Sequence, residues 1–243
     1  MSARYPDLAG RGAVVSGGAG TIGRAITRHL QANGMTVWSL DRTAEAEPGA
    51  HALAVDVTDR GAVEAAAAGI VAAAGVPLAA LVCCHGLQVR SSAMDATEDG
   101  WAQVMEVNLA GAWRLCQALA PALARTPGAA IVNITSVNGV VAARTGAAYG
   151  CSKAALNHLT RVLALELAPA VRVNAVAPTV VRSAMTEDIF ARPDYERDKL
   201  ASIPLARIAE AEDIAEACGF LLSASSAMVT GHVLVLDGGL SAS

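Results

Sequence analysis

Charged side chains are scarce in this chain: Asp, Glu, Lys and Arg make up 16% of its 243 residues and leave a formal net charge of −4. No basic run or stripe appears, so nothing favours nucleic acid or an anionic membrane surface as a partner. Long apolar runs are also lacking, each being broken by Gly, Pro or charge well short of the ~18–20 residues that a membrane span needs. The opening stretch Met1-Ser2-Ala3-Arg4-Tyr5-Pro6-Asp7 has no apolar signal core, which predicts a cytoplasmic chain acting on a small molecule. The five cysteines contain no C-x-x-C, and Cys83 and Cys84 are adjacent, so neither a disulfide framework nor a metal knuckle is expected. The five histidines form no H-x-x-x-H or H-E-x-x-H, and no metal ligand set is visible.

What is present is apolar residue in quantity, 53% of the chain, which is ample for a buried core. Short apolar runs alternate with helix-length amphipathic stretches, the pattern of a parallel sheet wrapped by helices. The expected fold class is α/β, a doubly wound seven-stranded parallel sheet forming one domain over residues 1–243. Expected strands are 13–16, 36–40, 51–55, 80–84, 130–135, 172–176 and 233–236, each suited to burial on both faces. The alanine-rich 62–74 reads as a crossover helix rather than low complexity. The stretch 178–207 has no clean period, carries Pro193 and Pro204, and is expected to be a substrate loop or lid.

Directly after the first strand comes Ser16-Gly17-Gly18-Ala19-Gly20-Thr21-Ile22-Gly23, leading into a helical pattern. Glycines there permit a tight turn and close approach of a pyrophosphate to the helix N-terminus, where free N–H groups attract anions. Asp41 ends the second strand, about 20 residues on, where a carboxylate can bind an adenosine ribose and repel a 2′-phosphate. This predicts NAD over NADP, although Arg42 follows directly and could welcome that phosphate.

Tyr149 and Lys153 stand one helical turn apart in Tyr149-Gly150-Cys151-Ser152-Lys153, with Ser136 upstream. A free phenol, with a pKa of about 10, is a poor base at neutral pH. Positions i and i+4 share a helix face, so the Lys153 ammonium can favour the phenolate while the Ser136 hydroxyl holds a substrate oxygen.

Taken together, these residues resemble the short-chain dehydrogenase/reductase family in its compact single-domain form, over residues 8 to 239. The glycine motif, Asp56-Val57, Asn108, Ser136, Tyr149, Lys153 and the closing Thr230–Gly239 all fall in the family's order. The resemblance implies a Rossmann-type NAD(P) site with Gly17, Gly20, Thr21, Ile22, Gly23, Asp41, Arg42 and Gly86 around the cofactor. By the same likeness Asp56 would contact the adenine amine with the Val57 backbone beside it, and Lys153 and Tyr149 would meet the nicotinamide ribose. Pro178, Val181 and Ser183 would hold the carboxamide, and Asn108 would kink its helix and hold a water in a proton relay. It implies hydride transfer between nicotinamide C4 and a carbinol carbon, and assembly as a homotetramer or homodimer. Three departures stand out: Thr21 replaces a family glycine, Cys83-Cys84-His85-Gly86 replaces Asn-Asn-Ala-Gly, and Thr179 replaces the glycine after Pro178. His85 is expected to fill the gap left by the missing amide.

The substrate expectation is a small secondary alcohol, polyol or hydroxy acid, with Arg144 and Arg182 as candidates for gripping an anionic group. Two alternatives stay open. One is a 3-oxoacyl-(carrier protein) reductase, weakened because Thr126-Pro127-Gly128 and Pro169-Ala170 lack basic docking residues apart from Arg125. The other is a catalytically silent NAD-sensing protein on the same fold.

Overall fold

The computed structural model describes residues 3–144 and 146–242. Its seven strands are β1 (Gly12–Ser16), β2 (Thr36–Asp41), β3 (His51–Ala54), β4 (Leu78–Cys83), β5 (Ala129–Ile134), β6 (Val171–Pro178) and β7 (Val233–Leu236). All pair in parallel, in the order β3-β2-β1-β4-β5-β6-β7. The helices are α1 (Thr21–Ala32), α2 (Arg60–Ala73), α3 (Glu98–Met105), α4 (Gly111–Leu123), α5 (Ala147–Leu167), α6 (Glu187–Phe190), α7 (Tyr195–Ala201) and α8 (Ala211–Leu222).

Alternation along the strands decides which helices cover which face. Val14, Leu81 and Ile131 point to one side and pack with Val63 and Ile70 of α2, Leu115 and Leu119 of α4 and Leu156 of α5. Their neighbours Val15, Val82 and Val132 point to the other side and pack with Ile26 and Leu30 of α1 and Ile214 and Leu221 of α8. Both faces are apolar because both are covered, which is why the strands read as continuous apolar runs.

Strand expectations hold to within a few residues; β4 starts earlier, at Leu78, and β6 runs on to Pro178, where β7 offers Leu236 as a partner. The expected helix 62–74 is present as α2, capped by the Asp59 side chain, which accepts from the Ala62 N–H at 3.0 Å. The segment 178–207 differs from a bare loop. It contains a 3-10 turn at Ala184–Thr186 and the short helices α6 and α7. Acids in the first turns of both, Glu187 and Asp188 then Glu196 and Asp198, favour helix starts, while Pro193 keeps the two apart. Charge rather than an apolar stripe organises these pieces, so no period betrays them.

The chain enters the sheet in the middle, winds outward through β2 and β3, then returns to β4 on the other side of β1. This reversal opens a crevice at the carboxyl ends of β1 and β4, where doubly wound sheets bind ligands. The residues singled out from the sequence cluster around the carboxyl ends of these strands.

Two glycines should respond in opposite ways to alanine. Gly69 lies exposed within α2 with nothing near its missing Cβ, so Gly69→Ala is expected to stabilise by about 0.5–1 kcal/mol. A Cβ on Gly23 would stand 2.1 Å from the Gly17 carbonyl oxygen, and Gly23→Ala is expected to cost roughly 1–3 kcal/mol. Urea unfolding of both variants checks the pair.

Candidate active site

The first turn after β1 is shaped by contact rather than by flexibility alone. Gly17 has φ +68°, and a Cβ there would lie 2.6 Å from the His85 backbone nitrogen. The turn therefore nests against the loop after β4, and α1 starts at once with its first N–H groups lacking helical partners. Thr21 takes the first helical position and is exposed. A helical start asks for no left-handed backbone, so the β-branched residue fits where the family has glycine, and Gly20 has nothing to compensate.

A cleft of about 540 Å³ runs along these carboxyl ends. Gly17, Gly20, Thr21, Ile22 and Gly23 line one part, Asp41, Arg42, Asp56 and Val57 another, and Gly86, Leu87 and Ser183 to Met185 the remainder. Its size and its crowded glycine cradle fit a dinucleotide. The Asp41 carboxylate accepts from the Ala19 N–H at 3.1 Å and from the Arg42 N–H at 2.8 Å, which fixes it at the rim of the glycine turn. Asp56 accepts from the Thr58 N–H at 2.8 Å and from the Thr58 hydroxyl at 2.7 Å through one oxygen. These bonds, the backbone one foremost, hold its pKa below the usual carboxylate value.

His85 occupies the position of the missing amide. Its Nδ1 lies 2.6 Å from the Ser16 hydroxyl, and its Nε2 faces Gly111, where an added Cβ would be 3.1 Å away. Loss of solvent, then the charge of Lys153, lowers its pKa to about 3, so the ring is neutral. It bridges β1 to the start of α4 and fills the gap, as expected. Cys84 beside it is pushed up to about 12 by burial and is an inert thiol at neutral pH.

Asn108 lies in a π-helical turn, Glu106–Ala110, which interrupts the α-helical pattern between α3 and α4 where a kink is expected. Its side chain is fully engaged: Oδ1 accepts from the Leu87 N–H at 2.7 Å, while Nδ2 donates to the Leu87 carbonyl at 3.0 Å and to Ser152 Oγ at 2.9 Å. Ser152 in turn donates to the Tyr149 carbonyl at 2.7 Å. The amide thus ties the loop after β4 to α5. Ser152, buried and central to this link, went unnoticed in the sequence because it reads as a spacer between Tyr149 and Lys153.

Ser136 leaves β5 and caps the 3-10 turn Val137–Gly139, accepting from the Asn138 N–H at 3.2 Å. That turn packs so closely on α5 that a Cβ on Gly139 would lie 2.7 Å from the Lys153 carbonyl carbon. Ser136 is thereby brought to Tyr149, and its hydrogen bond pulls the phenol's pKa down. Lys153 is 3% exposed and donates from Nζ to the Ile134 carbonyl at 2.9 Å. Its Nζ lies 5.7 Å from the centre of the Tyr149 ring, on the same helix face. Burial lowers the Lys153 pKa to about 8. Burial also raises that of Tyr149 above the ordinary phenol value, with Ser136 and the Arg90 charge acting against it. The phenol of the unliganded protein is therefore not a ready base, a point the helical spacing alone does not convey.

Beyond β6, Thr179 donates its N–H to the Leu236 carbonyl at 3.0 Å and is buried, so the residue replacing glycine joins the sheet rather than intruding on the cleft. Pro178 ends the strand, and Val181 forms a bridge with Ala209. Ser183 lies 3.2 Å from Thr186 Oγ1, which also donates to the Val181 carbonyl at 2.7 Å. Arg182 and Arg144 are not brought together at the cleft. Arg182 pairs with Glu196 at 2.5 Å and stacks over Phe190, its guanidinium carbon 4.3 Å from the ring centre, while Arg144 is exposed. The arginine whose charge acts on the Tyr149 phenol is Arg90, in the loop after β4, and no sequence signal set it apart from the other arginines. Among the described residues no metal-binding cluster occurs, and no helix is long and apolar enough to cross a membrane.

The family model described as enoyl-(acyl carrier protein) reductase matches residues 17–241. Galactitol 2-dehydrogenase (L-tagatose-forming) of Cereibacter sphaeroides is 37% identical over 244 residues, covering 96% of this chain and 95% of that protein. L-xylulose reductase of Bos taurus is 35% identical over 241 residues, covering 96% and 97%. A gluconate 5-dehydrogenase from Burkholderia cenocepacia, solved in complex with NADP and tartrate, superposes with a TM-score of 0.93 at 27% identity, covering 98% of each chain.

The hydrogen-bond geometry makes an expectation that needs no substrate. Tyr149 should titrate above the ordinary phenol value, and Ser136→Ala, which removes a donor that stabilises the phenolate, should move it higher still. Carbon-13 NMR of labelled tyrosine, assigned with Tyr149→Phe, measures both; a downward move in Ser136→Ala contradicts the geometry.

Proposed function

The chain belongs to the short-chain dehydrogenase/reductase family, and from that premise we propose that it is an NAD-dependent dehydrogenase interconverting a small secondary alcohol and its ketone. The observation that carries this reading is Tyr149, its phenol acted on by Ser136 and with the Lys153 ammonium 5.7 Å from its ring, beside a dinucleotide-sized cleft. The relatives named for galactitol and L-xylulose support a polyol or a comparable hydroxylated substrate.

In this mechanism a bound nicotinamide dinucleotide supplies the hydride acceptor for oxidation and the donor for reduction. The glycine turn from Gly17 to Gly23 holds its diphosphate, Asp41 and Arg42 its ribose, Asp56 and Val57 its adenine, and Gly86 with Pro178, Val181 and Ser183 its nicotinamide end. Ser136 donates to the substrate oxygen and fixes the carbinol. Tyr149 takes the hydroxyl proton on oxidation and returns it on reduction. Lys153 lends the phenolate positive charge and binds ribose hydroxyls. Asn108 positions α5 through Ser152 and sets the backbone that would hold a relay water.

The bonds that fix the Asp41 carboxylate at the rim of the glycine turn support NAD over NADP. Arg24 is taken by Glu45, by Glu47 and by the Ala19 carbonyl, so its charge is already balanced. A carrier-protein substrate is not adopted despite the description of the matching family model, because the segments before β5 and after α5 offer only Arg125. A silent sensor would not need Ser136, Tyr149 and Lys153 assembled together. We place the protein in the cytoplasm, in keeping with its free cysteines. Assembly as a homotetramer is supported by the part-exposed Trp101 of α3 and Trp113 of α4 and by Leu165 of α5.

Incubation with NAD and a panel of secondary alcohols and polyols should form NADH, and Tyr149→Phe should lower kcat/KM by ~10²–10⁴-fold. A higher kcat/KM with NADP than with NAD would remove the cofactor assignment, and turnover unaffected by Tyr149→Phe would remove the function.

A further inference from the structure

The lid that borders the cleft is fastened at one side by a single residue. Arg90 reaches from the loop after β4 and donates from Nη2 to the Met185 carbonyl at 3.1 Å while pairing through Nη1 with Asp188 Oδ1 at 2.9 Å. Met185 lines the cleft, and Asp188 sits in the first turn of α6. The Arg90 side chain is 25% exposed and Asp188 53% exposed, so one partner of the pair is mostly buried while the other stands half in solvent. The other oxygen of Asp188 lies 3.8 Å from Arg192, a second cation on its own segment that can keep it company once Arg90 lets go. On the inner side, Arg90 is close enough to Tyr149 for its charge to act on the phenol. The guanidinium therefore joins a cleft-lining residue to a half-exposed carboxylate.

Resting on the dehydrogenase reading above, we propose that Arg90 is the substrate-discriminating residue, exchanging Asp188 for the carboxylate of a polyhydroxy-acid substrate. A guanidinium fork binds any carboxylate by the same pair of N–H donors, and a half-exposed ion pair is weak enough to be replaced. Asp188 is thus an internal stand-in for the acid group of the substrate. A neutral polyol has nothing to displace it with and must bind under the fastened lid. The anion-gripping role that the sequence suggested for Arg144 and Arg182 falls instead to Arg90, since Arg90 bonds the cleft-lining Met185 whereas Arg182 is committed to Glu196 and Phe190.

The test compares kcat and KM for a panel of four- to six-carbon aldonic acids with the matching alditols, using NAD and the full-length enzyme. The wild type should favour at least one acid over its alditol by about tenfold or more in kcat/KM. Arg90→Ala should raise KM for that acid by about thirtyfold or more, whereas its effect on alditols should be smaller and lie in kcat, through the charge withdrawn from Tyr149. Arg90→Lys should restore part of the loss, and Asp188→Asn should lower KM for the acid by removing its competitor. Equal losses for acids and alditols in Arg90→Ala would show a lid fastener indifferent to substrate and overturn the proposal. So would an acid KM that Arg90→Ala leaves unchanged. Isothermal titration of tartrate into the enzyme with NADH gives a readout independent of turnover. Binding weakened about tenfold in Arg90→Ala supports the anion site even if no alcohol on either panel is oxidised, which would count against the dehydrogenase reading alone. Binding equal in both proteins sinks the proposal while leaving that reading intact.

Discussion

A lysine ammonium with almost no access to water, held by one backbone carbonyl, is the constraint on which the rest of the site depends. Lys153 is one of two lysines in the chain, and it is spent in the interior, at the carboxyl end of β5. Burying a charge is costly unless it is hydrogen-bonded, and the Ile134 carbonyl meets that need only in part, so the ammonium is held at a pKa of about 8. The remaining donors of the group are what a ribose and a phenolate can use.

The neighbouring elements can be read as the framework that keeps this ammonium in position. The Val137–Gly139 turn presses on the α5 backbone at Lys153, which also brings Ser136 to Tyr149. Asn108 reaches α5 through Ser152 and grips Leu87, so the loop carrying Gly86 and the helix carrying Lys153 cannot drift apart. His85 joins β1 to α4 from the same loop. The Tyr149–Lys153 helix, the glycine turn and the sheet thereby meet at one hydrogen-bonded junction at the topological switch. The segment 178–207, by contrast, is held to the loop after β4 through the Arg90–Asp188 ion pair and the Met185 carbonyl.

Much of this was legible in the order of residues because buried parallel strands leave continuous apolar runs, and because the glycine turn and the Tyr149–Lys153 spacing follow backbone geometry directly. The strands, α2 and the meeting of Ser136, Tyr149 and Lys153 belong to that class. The short helices α6 and α7 were hidden, since their starts depend on acids and ion pairs rather than an apolar stripe. Arg90 was hidden for a related reason: its partners lie far along the chain in Met185 and Asp188 and exist only once the lid is folded. Helical spacing placed Lys153 beside Tyr149 but could not show that burial raises the phenol and weakens the ammonium together. Thr21 and His85, departures from the family pattern, proved compatible through local geometry: a helical backbone at one, a ring filling a gap at the other.

The central claim is that a buried ammonium allows a phenol to trade protons with a carbinol near neutral pH. The rate of hydride transfer in Lys153→Met, followed across pH in single-turnover oxidation, tests it most directly. The account requires a loss of about 10²-fold or more at neutral pH, recovering in part as alkali ionises Tyr149 without help. A variant that transfers hydride at the wild-type rate at neutral pH would contradict it.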